Sequence, residues 1–272
     1  MKKINTVLAL LSSTLLITSC NKQPKRERED DPGDDPVDVD ITVDELKDDE
    51  LNQFPSLFIA KLGKFKSYNA VTSGKTIATV FGIDVNQSIE VNVIKGTYSY
   101  LLNKSDSDMQ HTIHTAYYHE DKVLCSDTNS IEKMNKHSLE EYLSIYGTYP
   151  FDNAIEGYSI ANGAIKTITR TKVEDNYKLS LVFDKELSTN NVKIQMKKFG
   201  GLDDYPVFKE DISMDIIVKN DFTPISLNLT SHYVAKKFMD SDCKQNYTVT
   251  YSNFDEEIEI PNLNQMIPQF DD

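Results

Sequence analysis

The segment Tyr-Lys-Leu-Ser-Leu-Val-Phe at residues 177–183 decides the fold class, because it places apolar side chains at every second position. One face of the extended chain then carries Tyr177, Leu179, Leu181 and Phe183. A period of two is typical of a β-strand that is buried on one face and wet on the other. The segment therefore predicts an antiparallel sheet with one apolar and one polar face.

The same alternation occurs in other segments after Ser67, with turn residues such as Glu120-Asp121, Ser188-Thr189-Asn190-Asn191 and Asn220-Asp221 between them. The apolar positions are Ile89, Val91 and Val93; Val192, Ile194 and Met196; Ile212, Met214, Ile216 and Val218; Ile225, Leu227 and Leu229; and Tyr247, Val249 and Tyr251. Several of these strands are about 8 to 12 residues long, which favours a strongly curved sheet.

Two helical segments interrupt the strand pattern. Apolar residues at helical spacing run from Leu51 to Phe65, and Pro55 should break or restart this helix. Ser138 and Glu141 form a capping box before a second apolar stripe that ends at Tyr146. The fold class is therefore α+β, with one strongly curved antiparallel sheet and a few helices packed on its apolar face.

The amino-terminal residues 1–19 have the features of a secretory signal, with a basic start at Lys2 and Lys3 and a short apolar run. They end in Ile17-Thr18-Ser19-Cys20, which resembles the lipobox of bacterial lipoproteins. That resemblance implies lipidation of Cys20 and cleavage just before it. Because two acyl chains hold a protein stably on a bilayer, we expect a membrane-anchored extracytoplasmic protein. The anchor would lie on the outer surface of the cell membrane or on the outer membrane.

Residues 20–40 differ in composition from the rest, since they are rich in Asp, Glu and Pro and poor in apolar side chains. Such a segment cannot bury enough surface to fold, so we expect a disordered acidic tether. Residues 41–272 then form a single domain. The formal charge of −14 makes binding to nucleic acid through charge a poor hypothesis, and we expect a monomer.

The sequence contains no recognisable catalytic motif, and we expect neither a metal site nor a cofactor. Cys125 and Cys243 remain after Cys20, and either a disulfide between them or two buried free thiols would fit an exported protein. His111, His114 and His119 lack the spacing of a metal site, with His114 opposite to the other two on a strand. The simplest interpretation is that all three face solvent.

The layout resembles the half-barrel fold of the lipoprotein-carrier superfamily, the LolA, LolB and LppX/LprG-like proteins. The resemblance rests on Cys20, the leading helix, the long first strand from Ser67, the mid-chain helix and the paired long strands that close near Pro261. It implies a hydrophobic cavity between sheet and helices that binds a lipid or another hydrophobic ligand, at residues that cannot be assigned individually. The alternative is a surface interaction or scaffold lipoprotein with a solid core and no small-molecule ligand.

Overall fold

The computed structural model describes residues 41–108, 111–128, 134–146, 164–200, 205–235 and 240–271. The strands are β1 Tyr68–Val80, β2 Ile83–Lys95, β3 Ser99–Ser107, β4 His111–His119, β5 Lys122–Ser126, β6 Asn135–Ser138, β7 Ile165–Val173, β8 Asn176–Phe183, β9 Val207–Phe208, β10 Ile212–Val218, β11 Pro224–Ala235 and β12 Ser241–Ser252. The helices are a 3₁₀ helix Asp48–Gln53, α1 Phe54–Lys64, α2 Leu139–Tyr146, α3 Lys185–Gly200 and α4 Leu263–Asp271.

All twelve strands belong to one antiparallel sheet that does not close into a barrel. The order is β6-β5-β4-β3-β2-β1-β12-β11-β10-β8-β7, and β9 pairs with β11 beside this path. The first and last long strands, β1 and β12, therefore pair in the middle of the sheet. The predicted fold class, a curved antiparallel half-barrel with few helices, is confirmed.

One face of the sheet, here called the packed face, carries the main core. Helices α1, α2 and α3 contribute buried side chains to it, among them Phe58, Tyr142 and Val192. The ring of Phe58 lies 6.3 Å from the ring of Tyr251 on β12. Burial of such aromatic and aliphatic surface is the dominant stabilising term in a domain of this size.

The opposite side of the sheet, here called the outer face, also carries a helix, which the sequence did not predict. Helix α4 buries Met266 and Phe270 in a second, smaller core. Its sheet residues are Ile94, Tyr100, Tyr117 and Leu124, which pair directly across β2, β3, β4 and β5. Four apolar side chains in one row on an otherwise polar face need a cover, and α4 supplies it.

The local predictions had different outcomes. The Ser138 capping box is present, since Glu141 N donates to Ser138 Oγ over 3.1 Å and Ser138 N donates to Glu141 Oε2 over 2.9 Å. Pro55 lies in the first turn of α1, where a missing N–H is tolerated. The predicted strand around Ile194 is wrong, because these residues belong to α3. Asp184 caps this helix by accepting from the backbone N–H groups of Glu186 and Leu187.

Candidate functional site

A row of buried polar side chains crosses the middle of the packed face. Ser231, Gln245, Thr76 and Gln87 are direct partners on β11, β12, β1 and β2. Their exposed fractions are 4%, 2%, 3% and 7%. Because buried polar groups cost free energy unless they are hydrogen-bonded, such a row needs partners within the core.

The row is connected by hydrogen bonds from strand to strand. Ser231 Oγ donates to Gln245 Oε1 over 3.2 Å, and Gln245 Nε2 donates to Thr76 Oγ1 over 3.2 Å. Gln245 Nε2 also donates to the Tyr247 hydroxyl, which lies 3.1 Å from Thr76 Oγ1. Burial raises the pKa of Tyr247 to about 12, so this hydroxyl stays protonated at physiological pH.

Tyr247 occupies its position only because residue 74 is glycine. Gly74 pairs directly with Tyr247 across β1 and β12. A Cβ on Gly74 would lie 1.8 Å from Tyr247 Cδ1, so the tyrosine ring lies across the bare backbone of β1. The missing side chain therefore lets the Tyr247 hydroxyl reach Thr76 and Gln245.

The polar row continues across β3 toward β4. Gln87 Nε2 donates to Ser105 Oγ on β3 over 2.6 Å. Asn103 follows two residues earlier on the same face and pairs directly with His114 on β4. The Oδ1 atom of Asn103 is buried and has no hydrogen-bond partner among the described residues.

His114 connects the row to helix α2 and to solvent. Its Nδ1 lies 2.7 Å from Asp127 Oδ1, and its Nε2 lies 2.8 Å from the Tyr142 hydroxyl. Both ring nitrogens of His114 therefore have a polar partner, one in a carboxylate and one in a phenol hydroxyl. The hydrogen bond from His114 lowers the pKa of Asp127, whereas burial raises the pKa of Tyr142. Tyr146 OH donates to Asp127 Oδ2 over 3.2 Å and holds the end of α2 on the same carboxylate.

Together these residues form a line that we call the polar track: Ser231, Gln245, Thr76, Gln87, Ser105, Asn103, His114 and Tyr142. The track ends beside Asp127, whose side chain is 63% exposed. It contains no lysine or arginine. A parallel row on the same face is mainly apolar, with polar atoms only at its two ends, and crosses six neighbouring strands: Tyr251, Ala70, Val93, Leu101, Ala116 and Cys125.

The two candidate disulfide residues lie far apart on the sheet. Cys125 is on β5 and Cys243 is on β12, with four strands between them, and both are buried free thiols. A disulfide needs Cα atoms within about 7 Å, so a bridge would require this sheet to be rearranged. Burial raises the pKa of Cys125 and raises that of Cys243 to about 11, which makes both poor nucleophiles.

The three histidines divide between the two faces as the period of two predicts. His111 is 58% exposed on the outer face, and His119 stacks on Tyr98 there, with ring centroids 4.2 Å apart. The solvent-facing interpretation is wrong for His114, whose side chain is 16% exposed within the polar track. In the described part of the chain, no group of three or more His, Cys, Asp or Glu could hold a metal ion.

A groove of about 590 Å³ also opens on the polar side of the central strands. Its lining includes the charged side chains of Lys75, Glu90, Lys104 and Asp106, together with the imidazole of His111. Lys104 and Glu90 already pair at 3.3 Å, and an acyl chain would gain little against such a surface. The packed face is therefore the better candidate for a hydrophobic ligand.

No protein-family model matches the sequence, and no curated protein matches it significantly. Solved structures with a similar fold include the lipoprotein LppX of Mycobacterium tuberculosis, with a TM-score of 0.40 and 11% identity over 79% of this chain and 100% of LppX. LprF from Mycobacterium bovis has a TM-score of 0.41 and 12% identity, over 79% of this chain and 97% of LprF. A LolA superfamily protein from Nitrosomonas europaea has a TM-score of 0.27 and 10% identity, over 74% of this chain and 90% of its own. The structural neighbours thus include the LppX and LolA proteins that the sequence resembles.

Several predicted features lie outside the described residues, namely the signal at 1–19, the lipidation site Cys20 and the tether that ends at residue 40. None of the described helices is both long enough and apolar enough to cross a bilayer. The polar track was not predicted from the sequence, although the alternation of residues along a strand already indicates the face on which each side chain lies. His114 is two residues from Ala116 and four from Tyr118, so the strand pattern already placed it on the apolar face with them.

Proposed function

We propose that this chain is an extracytoplasmic bacterial lipoprotein, anchored through Cys20, that binds a lipid or another hydrophobic ligand between the packed face and its helices. It acts by binding and not by catalysis. The proposal combines the lipobox at Cys20 with the character of the packed face. The domain at 41–272 would hold the ligand, and residues 20–40 would hold the domain away from the membrane surface.

The observation that carries the proposal is the apolar row from Tyr251 to Cys125, which crosses six strands on the packed face. At about 4.8 Å between strands, the row spans about 24 Å. This length suits an extended acyl chain, and the four side chains between Tyr251 and Cys125 offer no polar group that would have to be desolvated. An open sheet can bind such a chain by moving its covering helices, without breaking the ladder of the sheet.

Anchoring is tested by the conservative change Cys20→Ser. The variant should leave the membrane fraction, because a single serine cannot carry the acyl groups. A Cys20→Ser protein that stays firmly in the membrane fraction after a carbonate wash would refute the lipoprotein proposal. Mass measurement of the wild-type amino terminus gives the number of acyl chains directly.

Ligand binding is tested on the full mature chain with Cys20→Ser, by native mass spectrometry followed by organic extraction. We expect a stoichiometric lipid. Val93→Gln places a polar side chain in the apolar row and should reduce the amount of this lipid, whereas Leu102→Gln on the outer face should not. Both positions are partly buried on neighbouring strands, so the pair separates an effect on the packed face from a general loss of stability.

A second function, a surface interaction or scaffold role, is favoured by one observation. The β1–β2 turn exposes Phe81 by 80% and Ile83 by 69%. Exposed apolar side chains at a hairpin tip fit a protein partner better than solvent. If the extracted protein contains no lipid and binds no acyl probe, this second function replaces the first, and Phe81→Ser should abolish partner capture.

A further inference from the structure

We propose that the ligand is an uncharged amphiphile whose headgroup carries hydroxyl groups, and that the Oδ1 atom of Asn103 accepts a hydrogen bond from one of them. This inference rests on the proposed function, because it names the class of ligand that the packed face would bind. The acyl part would lie along the apolar row, and the headgroup would lie on the polar track.

The charges around the polar track argue against an anionic headgroup. The track consists of hydroxyl, amide, phenol and imidazole groups, and the carboxylate of Asp127 lies 2.7 Å from the imidazole of His114. A phosphate or carboxylate beside the track would lie near the like charge of Asp127, which is unfavourable, and the track itself supplies no lysine or arginine as a counter-ion. Arg170 offers no counter-ion, because it lies on edge strand β7 and its guanidinium already donates to the carbonyls of Val43 and Leu46.

The position of Asn103 argues for a headgroup that donates hydrogen bonds. Its neighbours on the track are paired: Ser105 accepts from Gln87, and His114 contacts Asp127 and Tyr142. The Oδ1 atom of Asn103 is buried and has no partner in the described part of the chain. An amide oxygen can only accept, so the partner that completes it must be an O–H or N–H donor.

The spacing along β3 connects the headgroup to the acyl chain. Leu101 belongs to the apolar row, and Asn103 is the next residue of β3 on the same face. Side chains two residues apart on a strand are about 6.6 Å apart, which is close to the distance from a glycerol hydroxyl to the first carbons of an ester-linked chain. One molecule can therefore contact both rows at once.

The test uses three probes with the same lauroyl chain: the glycerol monoester, the methyl ester and the acyl glycerol phosphate. Each displaces N-phenyl-1-naphthylamine from the full mature chain with Cys20→Ser. The glycerol ester should bind about tenfold more tightly than the methyl ester, which lacks a donor, and the phosphate should bind most weakly. This ranking needs no substitution on the packed face.

A matched pair of variants tests the role of Asn103. Asn103→Leu should reduce the affinity for the glycerol ester about tenfold and leave the affinity for the methyl ester unchanged. Asn92→Leu is the control, because the Oδ1 atom of Asn92 is also buried without a partner among the described residues but lies on the outer face, opposite Leu102. Asn92→Leu should leave the affinities for both esters unchanged.

Each contrary result has a distinct meaning. Equal affinities for the two esters, or tightest binding of the phosphate, would overturn the inference and leave the proposed function intact. A protein that binds none of the three probes would overturn both. If Asn92→Leu and Asn103→Leu weaken binding equally, the effect is one of stability and Asn103 is not a ligand contact.

Discussion

Replacing Gly74 by alanine should destabilise the protein by about 3–5 kcal/mol, although this is the smallest change that a glycine can undergo. The added Cβ would meet Tyr247 Cδ1 at 1.8 Å, Tyr247 Cε1 at 2.5 Å and the backbone oxygen of Asn246 at 2.7 Å. The tyrosine ring is buried on the packed face and cannot swing into solvent without leaving the core. The clash must therefore be relieved by moving Tyr247 or by bending β1 away from β12.

The magnitude has two parts. Overpacking a well-packed core typically costs about 1–3 kcal/mol. Moving the Tyr247 ring also removes its hydroxyl from Thr76 and Gln245, and each hydrogen bond lost in this way costs about 1 kcal/mol. Backbone strain contributes nothing to this sum, because Gly74 does not have a positive φ.

The assay is unfolding in urea, monitored by circular dichroism, and Gly63→Ala is the matched control. Gly63 lies in α1, and nothing lies within 4 Å of the position of its Cβ. Alanine should therefore stabilise that helix by up to about 1 kcal/mol, so the two glycine-to-alanine changes have opposite signs. In a Tyr247→Ala background, Gly74→Ala should cost only about 1 kcal/mol, since the carbonyl of Asn246 is then the remaining obstacle. An equal cost in both backgrounds would refute the role of Tyr247.

Four further changes test separate parts of the structure. Ser138→Ala should lower the free energy of unfolding by about 1 kcal/mol, because it removes the amino-terminal cap of α2, and a loss below the error of urea titrations would contradict the capping box. Phe81→Asn should raise the melting temperature, because Phe81 has a φ of 52° in the two-residue turn between β1 and β2, where Asn is preferred; an unchanged or lower melting temperature would contradict this. Cys125 and Cys243 should not react with a thiol reagent in the folded protein, and both should react once the protein is unfolded without reductant. An unfolded, non-reduced sample with no titratable thiol would show a disulfide bridge instead. The lowered pKa of Asp127 means that its contribution to stability is present above the ordinary carboxyl pKa and is lost as the pH falls through the lowered value. Asp127→Asn should therefore flatten the fall in urea midpoint as the pH is lowered below the ordinary carboxyl pKa, and an unchanged pH dependence would exclude this contact as its source.

The sequence predicted the parts of the fold that depend on local pattern. Alternation of apolar residues identified most long strands, and the pair Ser138 and Glu141 identified the start of α2. The same approach failed at 192–196, because the short apolar alternation there is also compatible with a helix. The decisive local signal was Asp184, a helix cap that lies directly after the last residue of β8.

Helix α4 was missed although its apolar residues Leu263, Met266, Ile267 and Phe270 follow helical spacing, so what the chain alone could not reveal is the surface that the helix covers. Its residues are few, and its interior contains Pro268, which argues against a helix by propensity. What holds it is a row of outer-face side chains from β2 to β5, including Tyr117, whose hydroxyl donates to the carbonyl of Pro261 over 2.9 Å. The row forms only when four strands pair in the correct register, so no local pattern in the sequence predicts it.

The polar track likewise forms only through the pairing of distant strands, and this origin bears on its function. Thr76, Gln87 and Gln245 are far apart in the chain, and each one alone reads as an ordinary polar residue in a strand. They come together because two strand registers, of β1 with β12 and of β1 with β2, place them in one line. A solid core gains little from such a line, since well-packed apolar side chains of similar volume usually stabilise a fold as well or better. A ligand with a polar end gains directly, because the track gives its headgroup hydrogen-bond partners inside an apolar face. The buried Oδ1 of Asn103 is the point where the two accounts differ, because it lacks a described partner in the folded chain and would gain one from a hydroxyl-bearing ligand.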